Sequence, residues 1–158
     1  MKRRPVVAVI GAGDAPAAVC KLAFEVGREI ARRDAVLING GLWGVMESAA
    51  AGARKEGGHT IGIIPGKDRR AANQHIEFAI ATGIGEARNA VIVASADAVI
   101  AMRGEGGTLA EIGFALKLRK PIVALDSWPE SAGLNRADNA ADAVALALKL
   151  AASKSRRR

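Results

Sequence analysis

The stretch MRGEGGTLAE, residues 102–111, has the spacing most suggestive of chemistry in this chain. Gly104, Gly106 and Gly107 free the backbone to curl into a concave nest of N–H donors, the arrangement that holds a phosphate where a helix begins. Thr108 and Glu111 follow within one helical turn. Their Thr-x-x-Glu spacing also has a plainer reading, a capping box in which each side chain bonds the other residue's backbone. Glu105 is discordant, because a carboxylate ~4 Å from a bound anion costs on the order of 1–4 kcal/mol, depending on the local dielectric. Two arrangements would relieve it. Either the side chain turns to solvent and only its N–H faces the pocket, or Arg103 and the KDRR run at residues 67–70 neutralise it.

Three other segments offer similar chemistry. GAGDAP, residues 11–16, opens like a dinucleotide fingerprint, with Gly11 and Gly13 allowing a tight turn and close approach of an anion. The third glycine position holds Pro16, and the next strand ends in Asn39 rather than the acid that would bind an NAD ribose, which argues against NAD. GGLWGVM, residues 40–46, places Gly40, Gly41 and Gly44 around a strand-to-helix turn. Within it, Trp43 either stacks on a ligand ring or covers a core edge. GEARN, residues 85–89, puts Arg88 and Asn89 at a helix start, where Arg88 suits a phosphate or carboxylate, or a structural ion pair with Glu111.

Composition bounds what these residues can serve. A chain of 158 residues is expected to form a single domain over 1–152, with a basic, disordered tail at 153–158. Aromatics are 3% and Tyr is absent, so the core must be aliphatic. The lone Cys20 cannot pair internally and reads as a core residue, and His59 and His75 are too far apart in sequence to suggest a metal set. A cytoplasmic protein without a membrane segment is expected. The net charge of +7 lies partly in the terminal runs KRR and KSRRR, which permit a nucleic-acid partner but lack interleaved aromatics.

The elements that must position the motifs follow from hydrophobic period. Short aliphatic runs at 5–10, 35–38, 59–64, 77–81, 97–102 and 121–125 predict strands. Between them, apolar residues recur at helical spacing, as at Val19, Leu22, Ala23, Val26 and Ile30, and further helices are expected up to about 56, from Arg88, over 108–119 and over 137–151. Residues 65–75 read as an exposed loop. This alternation predicts a three-layer α/β fold, a doubly wound, mostly parallel sheet of about six or seven strands. Every glycine-rich turn follows a strand, so all should share the carboxyl edge where such sheets bind ligands.

Taken in order, GGLWGVMESAAAGARKEGG, IGIIPG, AN, ATGIGEARN, ADAVIAMRGEGGTLAEIGFALKLRKPIVAL and SW resemble the LOG-like (LONELY GUY) Rossmann proteins. The resemblance is nearest to the small branch that includes molybdenum-cofactor carriers. It implies a homodimer or homotetramer with a nucleotide or phosphate pocket. In the family's enzymatic branch it implies hydrolysis of a nucleoside 5'-monophosphate to base and ribose 5-phosphate, with no cofactor required. The enzymes' signature is Pro-Gly-Gly-x-Gly-Thr-x-x-Glu with an upstream Arg. Arg88, Gly104, Gly107, Thr108 and Glu111 fall on matching positions, whereas Arg103 and Glu105 replace the Pro and the second Gly.

By that match, Glu111 would stabilise positive charge on the sugar and Arg88 would hold Glu111 or the sugar hydroxyls. The N–H groups of Gly106, Gly107 and Thr108 would take the phosphate. The leading expectation is a binder of a phosphorylated ligand, either a nucleotide or the pterin-type molybdenum cofactor. The phosphoribohydrolase comes second, and a nucleic-acid-binding Rossmann protein third. The family's older lysine-decarboxylase label fails chemically, because these glycine loops carry no lysine for pyridoxal phosphate.

Overall fold

The computed structural model describes residues 3–126 and 134–155; the SW pair, the first two residues and residues 156–158 of the basic tail lie outside the described residues. The strands are β1 (Val6–Ile10), β2 (Val36–Asn39), β3 (Thr60–Ile64), β4 (Phe78–Ala81), β5 (Ala98–Ala101), β6 (Ile122–Leu125) and β7 (Asn135–Ala137). The helices are α1 (Ala17–Arg32), α2 (Val45–Lys55), α3 (Arg88–Ser95), α4 (Gly106–Lys117) and α5 (Ala140–Ser155). The strands form one sheet in the order β4-β3-β2-β1-β5-β6-β7, and every pairing is parallel. Strand order therefore reverses between β1 and β5.

Alternation along β1 divides the core into two layers. Val7 and Val9 face Val19, Ala23, Val26 and Ile30 of α1 together with residues of α2 and α5. Ala8 and Ile10 face Ile92 and Val93 of α3 and Ile112 and Ala115 of α4. Small residues let α1 and α2 pack closely: a Cβ on Gly27 would lie 1.9 Å from the Ala49 carbonyl oxygen, and one on Gly52 the same distance from that of Phe24. Lacking large aromatics, this core gains density from close helix approach.

The expected elements are present, with instructive shifts. The sheet is wholly parallel, and β7, a strand of only three residues with two of them exposed, had no aliphatic run to announce it. α5 begins at Ala140 and runs through Ser155, so residues 153–155 of the expected disordered tail are helical. The loop 65–75 contains a short 3-10 turn at Arg69–Ala71, and it is pinned by buried Asn73. The Asn73 amide donates to the carbonyls of Gly41 and Leu42 at 3.2 and 2.7 Å.

Of the two readings of Thr-x-x-Glu, the capping box does not form among the described residues. α4 starts at Gly106 rather than Thr108, its N-cap is Glu105, and that cap makes no side-chain hydrogen bond. Thr108 and Glu111 are instead both buried, 4% and 7% exposed. The chain enters helical geometry at Gly106, two residues before Thr108, so Thr108 lies inside the first turn rather than at its cap.

Candidate functional site

The turns after β1 and β5 meet at the point where strand order reverses, joined by a hydrogen bond from the Ala12 N–H to the Arg103 carbonyl at 2.9 Å. Beside this bridge opens a cavity of about 270 Å³. Its walls are Gly11 to Asp14 from the first turn, Leu42 and Met46 from the second, Glu86, Arg88 and Asn89 at the start of α3, and Glu105, Gly107, Thr108 and Glu111 from α4. Four segments that the sequence singled out separately thus converge. Asp14, Leu42, Met46 and Glu86 were missed, although Asp14 and Glu86 lie inside the motifs GAGDAP and GEARN.

The glycines divide by what surrounds them. At Gly107 a Cβ would meet only the Asn89 amide nitrogen at 4.0 Å, and at Gly106 nothing within 4 Å, so both leave room for a ligand. Gly13 is nearly as open, with the Met46 methyl at 3.8 Å. The others are packed from within. A Cβ on Gly11 would strike Val45 at 2.8 Å, one on Gly104 the Thr108 hydroxyl at 2.1 Å, and one on Gly44 the Ala12 and Gly13 carbonyls at 2.5 and 2.6 Å. Gly41, at φ +71, sits against Ile64. Gly40 is bare because the Arg88 guanidinium occupies the space: a Cβ there would lie 1.9 Å from Nη1. Gly40, Gly41, Gly44 and Gly104 therefore shape the site without lining it.

Arg88 is the centre of the electrostatics. It is 5% exposed, and its Nε has no hydrogen-bond partner among the described residues. A buried donor left unsatisfied costs about 1–3 kcal/mol, more when charged, so an orphaned guanidinium nitrogen in a cavity wall suits an anionic ligand. Burial lowers the Arg88 pKa, while Glu111 and Glu86 hold it up. The structure places Arg88 close enough to Glu111 for the two charges to interact, without an ion pair between them among the described residues. The structural-ion-pair reading of Arg88 is therefore not what forms.

Glu111 answers the same environment. Burial pushes its carboxyl up to about 8, Arg88 pulls against this, and Glu86 pushes with it. At neutral pH Glu111 is mostly protonated. Asn89 turns its amide to Glu86 at 3.3 Å. Asn39, which stands where an NAD-binding sheet places its ribose-binding acid, is consumed by the loop: its amide donates to the Met46 carbonyl at 2.9 Å, and its oxygen accepts from the Gly41 N–H at 2.8 Å.

The phosphate nest takes a definite form. The Leu109 N–H bonds the Glu105 carbonyl at 2.9 Å, the first helical hydrogen bond, so the N–H groups of Gly106, Gly107 and Thr108 precede the ladder. Glu105 is exposed at the cavity rim and is not neutralised in the way expected, because Arg103 reaches Asp126 at 3.8 Å and Arg70 forks onto Asp68 at 2.9 Å. Trp43 is 56% exposed and is not among the residues that line the cavity. Cys20, expected in the core, is half-buried, its thiol directed to the Ala15 carbonyl.

Known proteins place this arrangement in a family. The family model described as SLOG cluster4 matches residues 4–153. A protein of Archaeoglobus fulgidus is 44% identical over 119 residues, 75% of this chain and 78% of that one. The cytokinin riboside 5'-monophosphate phosphoribohydrolase of Mycobacterium tuberculosis is 35% identical over 75% of this chain and 68% of its own length. Among solved structures, the molybdenum cofactor binding protein of Rippkaea orientalis superposes with a TM-score of 0.89 at 35% identity, covering 94% of this chain and 98% of that one. The molybdenum cofactor carrier protein of Chlamydomonas reinhardtii gives 0.84 at 34% identity over 95% and 99%. DNA processing protein A of Helicobacter pylori, at 22% identity and a TM-score of 0.73, shares the fold. The expected LOG-like, Rossmann-type reading is thus met, and the chain belongs to the SLOG cluster4 family of LOG-like proteins.

Proposed function

We propose that this is a cytoplasmic carrier or binder of a phosphorylated small ligand, a nucleotide or the pterin-type molybdenum cofactor, held in the crevice between β1 and β5. The observation that carries the reading is the orphaned Nε of buried Arg88 in the wall of a cavity that opens at the N-terminus of α4. The phosphate would lie on the N–H groups of Gly106, Gly107 and Thr108, with the guanidinium beside it. The likeness to two molybdenum-cofactor-binding proteins over nearly their whole lengths supports this. A molybdenum cofactor would be gripped by its organic phosphate as cargo, on the same N–H groups. Mass spectrometry of the ligand released from freshly purified protein tests the reading, with a nucleotide or pterin phosphate as the expected outcome. Release of no phosphorylated molecule, together with no binding of added AMP, overturns it.

Glu111 favours a second reading, phosphoribohydrolase activity on nucleoside 5'-monophosphates. It is a nearly buried carboxyl beside Arg88, on the position that the enzymatic relatives' signature gives to their acid. In that reaction the bond from the anomeric carbon to the base nitrogen breaks, the base leaves with the electron pair and gains a proton, and water oxygen bonds the carbon and releases a proton in turn. An ionised Glu111 would stabilise the cationic sugar between these events. Because burial keeps Glu111 protonated at neutral pH, turnover should climb as pH rises through about 8. Incubation with AMP, followed by chromatography for adenine, decides it. Turnover abolished in Glu111→Gln supports hydrolysis, and none from the native protein on any monophosphate removes it.

The family resemblance and an apolar face left exposed among the described residues also support a homo-oligomer, a homodimer in its simplest form. Leu109 and Leu116 of α4 and Val91 of α3 are exposed, as are Phe78 and Ile80 on the same side of the sheet.

A further inference from the structure

Asp14 and Glu105 stand on the turns after β1 and β5, at the point where strand order reverses. Both line the cavity that holds Arg88, and both also line a second one of about 310 Å³. Local structure does not account for either acid. Asp14 precedes α1, whose N-cap is Pro16, and Glu105 is the N-cap of α4, yet neither helix has a side-chain capping bond. Both residues are exposed, and among the described residues neither carboxylate joins a hydrogen bond or ion pair. Arg103, which lines the second cavity with them, points its charge at Asp126.

Their presence conflicts with a simple anion site. The cavity sets the carboxylates of Asp14, Glu86 and Glu105 against one base among the described residues, Arg88, while Glu111 is mostly protonated at neutral pH. A phosphate monoester arrives with nearly two negative charges, and each unneutralised acid within reach repels it by an amount that grows as water is excluded. Independently, the Nε of Arg88, buried and without a hydrogen-bond partner among the described residues, calls for an acceptor at the same cavity. An anion site rimmed by two idle carboxylates is reconciled if a cation lies between them. Magnesium is commonly held in this manner, by one or two carboxylates together with substrate phosphate oxygens rather than by a cage made only of protein. The two acids alone do not make a metal site, in keeping with the lack of any three-residue cluster among the described residues.

We propose that the ligand of this crevice binds as the complex of its phosphate with a divalent cation, with Asp14 and Glu105 contributing the protein oxygens. This rests on the phosphate-binding reading above. It also explains why an acid at position 105, unwelcome to a bare phosphate, is accommodated at the start of α4.

Calorimetric titration with AMP, in magnesium and then in EDTA, tests the proposal on the full chain. The native protein should bind AMP at least about tenfold tighter with magnesium. In the double variant Asp14→Asn, Glu105→Gln the magnesium effect should vanish, while binding in EDTA should become tighter than that of the native protein because the repulsion is gone. Manganese with AMP, followed by enhancement of water proton relaxation, should report a protein-bound ion in the native ternary complex and none in the variant. Circular dichroism of the variant checks its fold, which these exposed positions should not disturb. Equal AMP affinity in magnesium and EDTA, or a magnesium effect that survives in the variant, overturns the proposal and leaves phosphate binding standing. Failure of AMP to bind under either condition overturns both.

Discussion

Glu111 ties the stability of the molecule to pH. Its carboxyl is held near 8 in the folded protein, chiefly by burial, against an unfolded value near 4.5. A carboxyl raised on folding contributes its stability below the unfolded value, and that contribution is lost as pH climbs towards the folded one. The native protein should therefore lose thermal stability between about pH 4.5 and 8, whereas Glu111→Gln should show a flatter profile and be relatively more stable at pH 8. Parallel melting curves across that range check this, and equal slopes would sink the assignment. Arg88 belongs to the same scale. Residue types and spacing announced both, but the choice between capping and cavity for Glu111 depended on where α4 began, and Thr-x-x-Glu is compatible with either start.

Among the elements, the start of α4 and the turn after β2 support the site in different ways. Gly107 is helical and faces open space, so Gly107→Ala should raise stability by up to about 1 kcal/mol through helix propensity, while its methyl group intrudes on the ligand and weakens binding. Gly40→Ala should do the reverse in the fold. Its Cβ would meet the Arg88 guanidinium, so a loss of about 1–3 kcal/mol is expected together with weaker AMP binding as Arg88 is displaced. Melting temperature and AMP titration on the two variants separate a glycine kept for the ligand from one kept for its neighbour. In the sequence these glycines looked alike. Only the packing of Met46 and Arg88 around Gly40, and the empty space before Gly107, set them apart.

For the whole molecule, the two faces of the sheet are unequally covered. Among the described residues, α1, α2 and α5 pack on one side and α3 and α4 on the other. On the second side β4 leaves Phe78 and Ile80 more than half exposed, and α4 presents Leu109 and Leu116 with open space beside Gly113 between them. A helix that is apolar on both faces is normally buried on both. Sedimentation velocity should accordingly show a dimer at micromolar concentration, and Leu109→Asp with Leu116→Asp should shift it to monomer without lowering helix content. A native monomer at all concentrations would remove this face as an interface.

The sequence by itself determined the layer architecture, because strand and helix periods are local and the aliphatic runs leave little ambiguity about a parallel sheet. It also determined the chemistry on offer, since Arg88, Glu111 and the glycines of residues 104–107 are legible as types at fixed spacing. The tertiary structure decided what each became. The meeting of the β1 and β5 turns made one cavity of four motifs, burial left the Arg88 Nε without a hydrogen-bond partner among the described residues and Glu111 mostly protonated at neutral pH, and the start of α4 at Gly106 dissolved the capping box. Burial and electrostatic coupling depend on neighbours distant in sequence, such as Gly40 against Arg88 and Asp14 on the same cavity as Glu105, and no local pattern encodes those meetings.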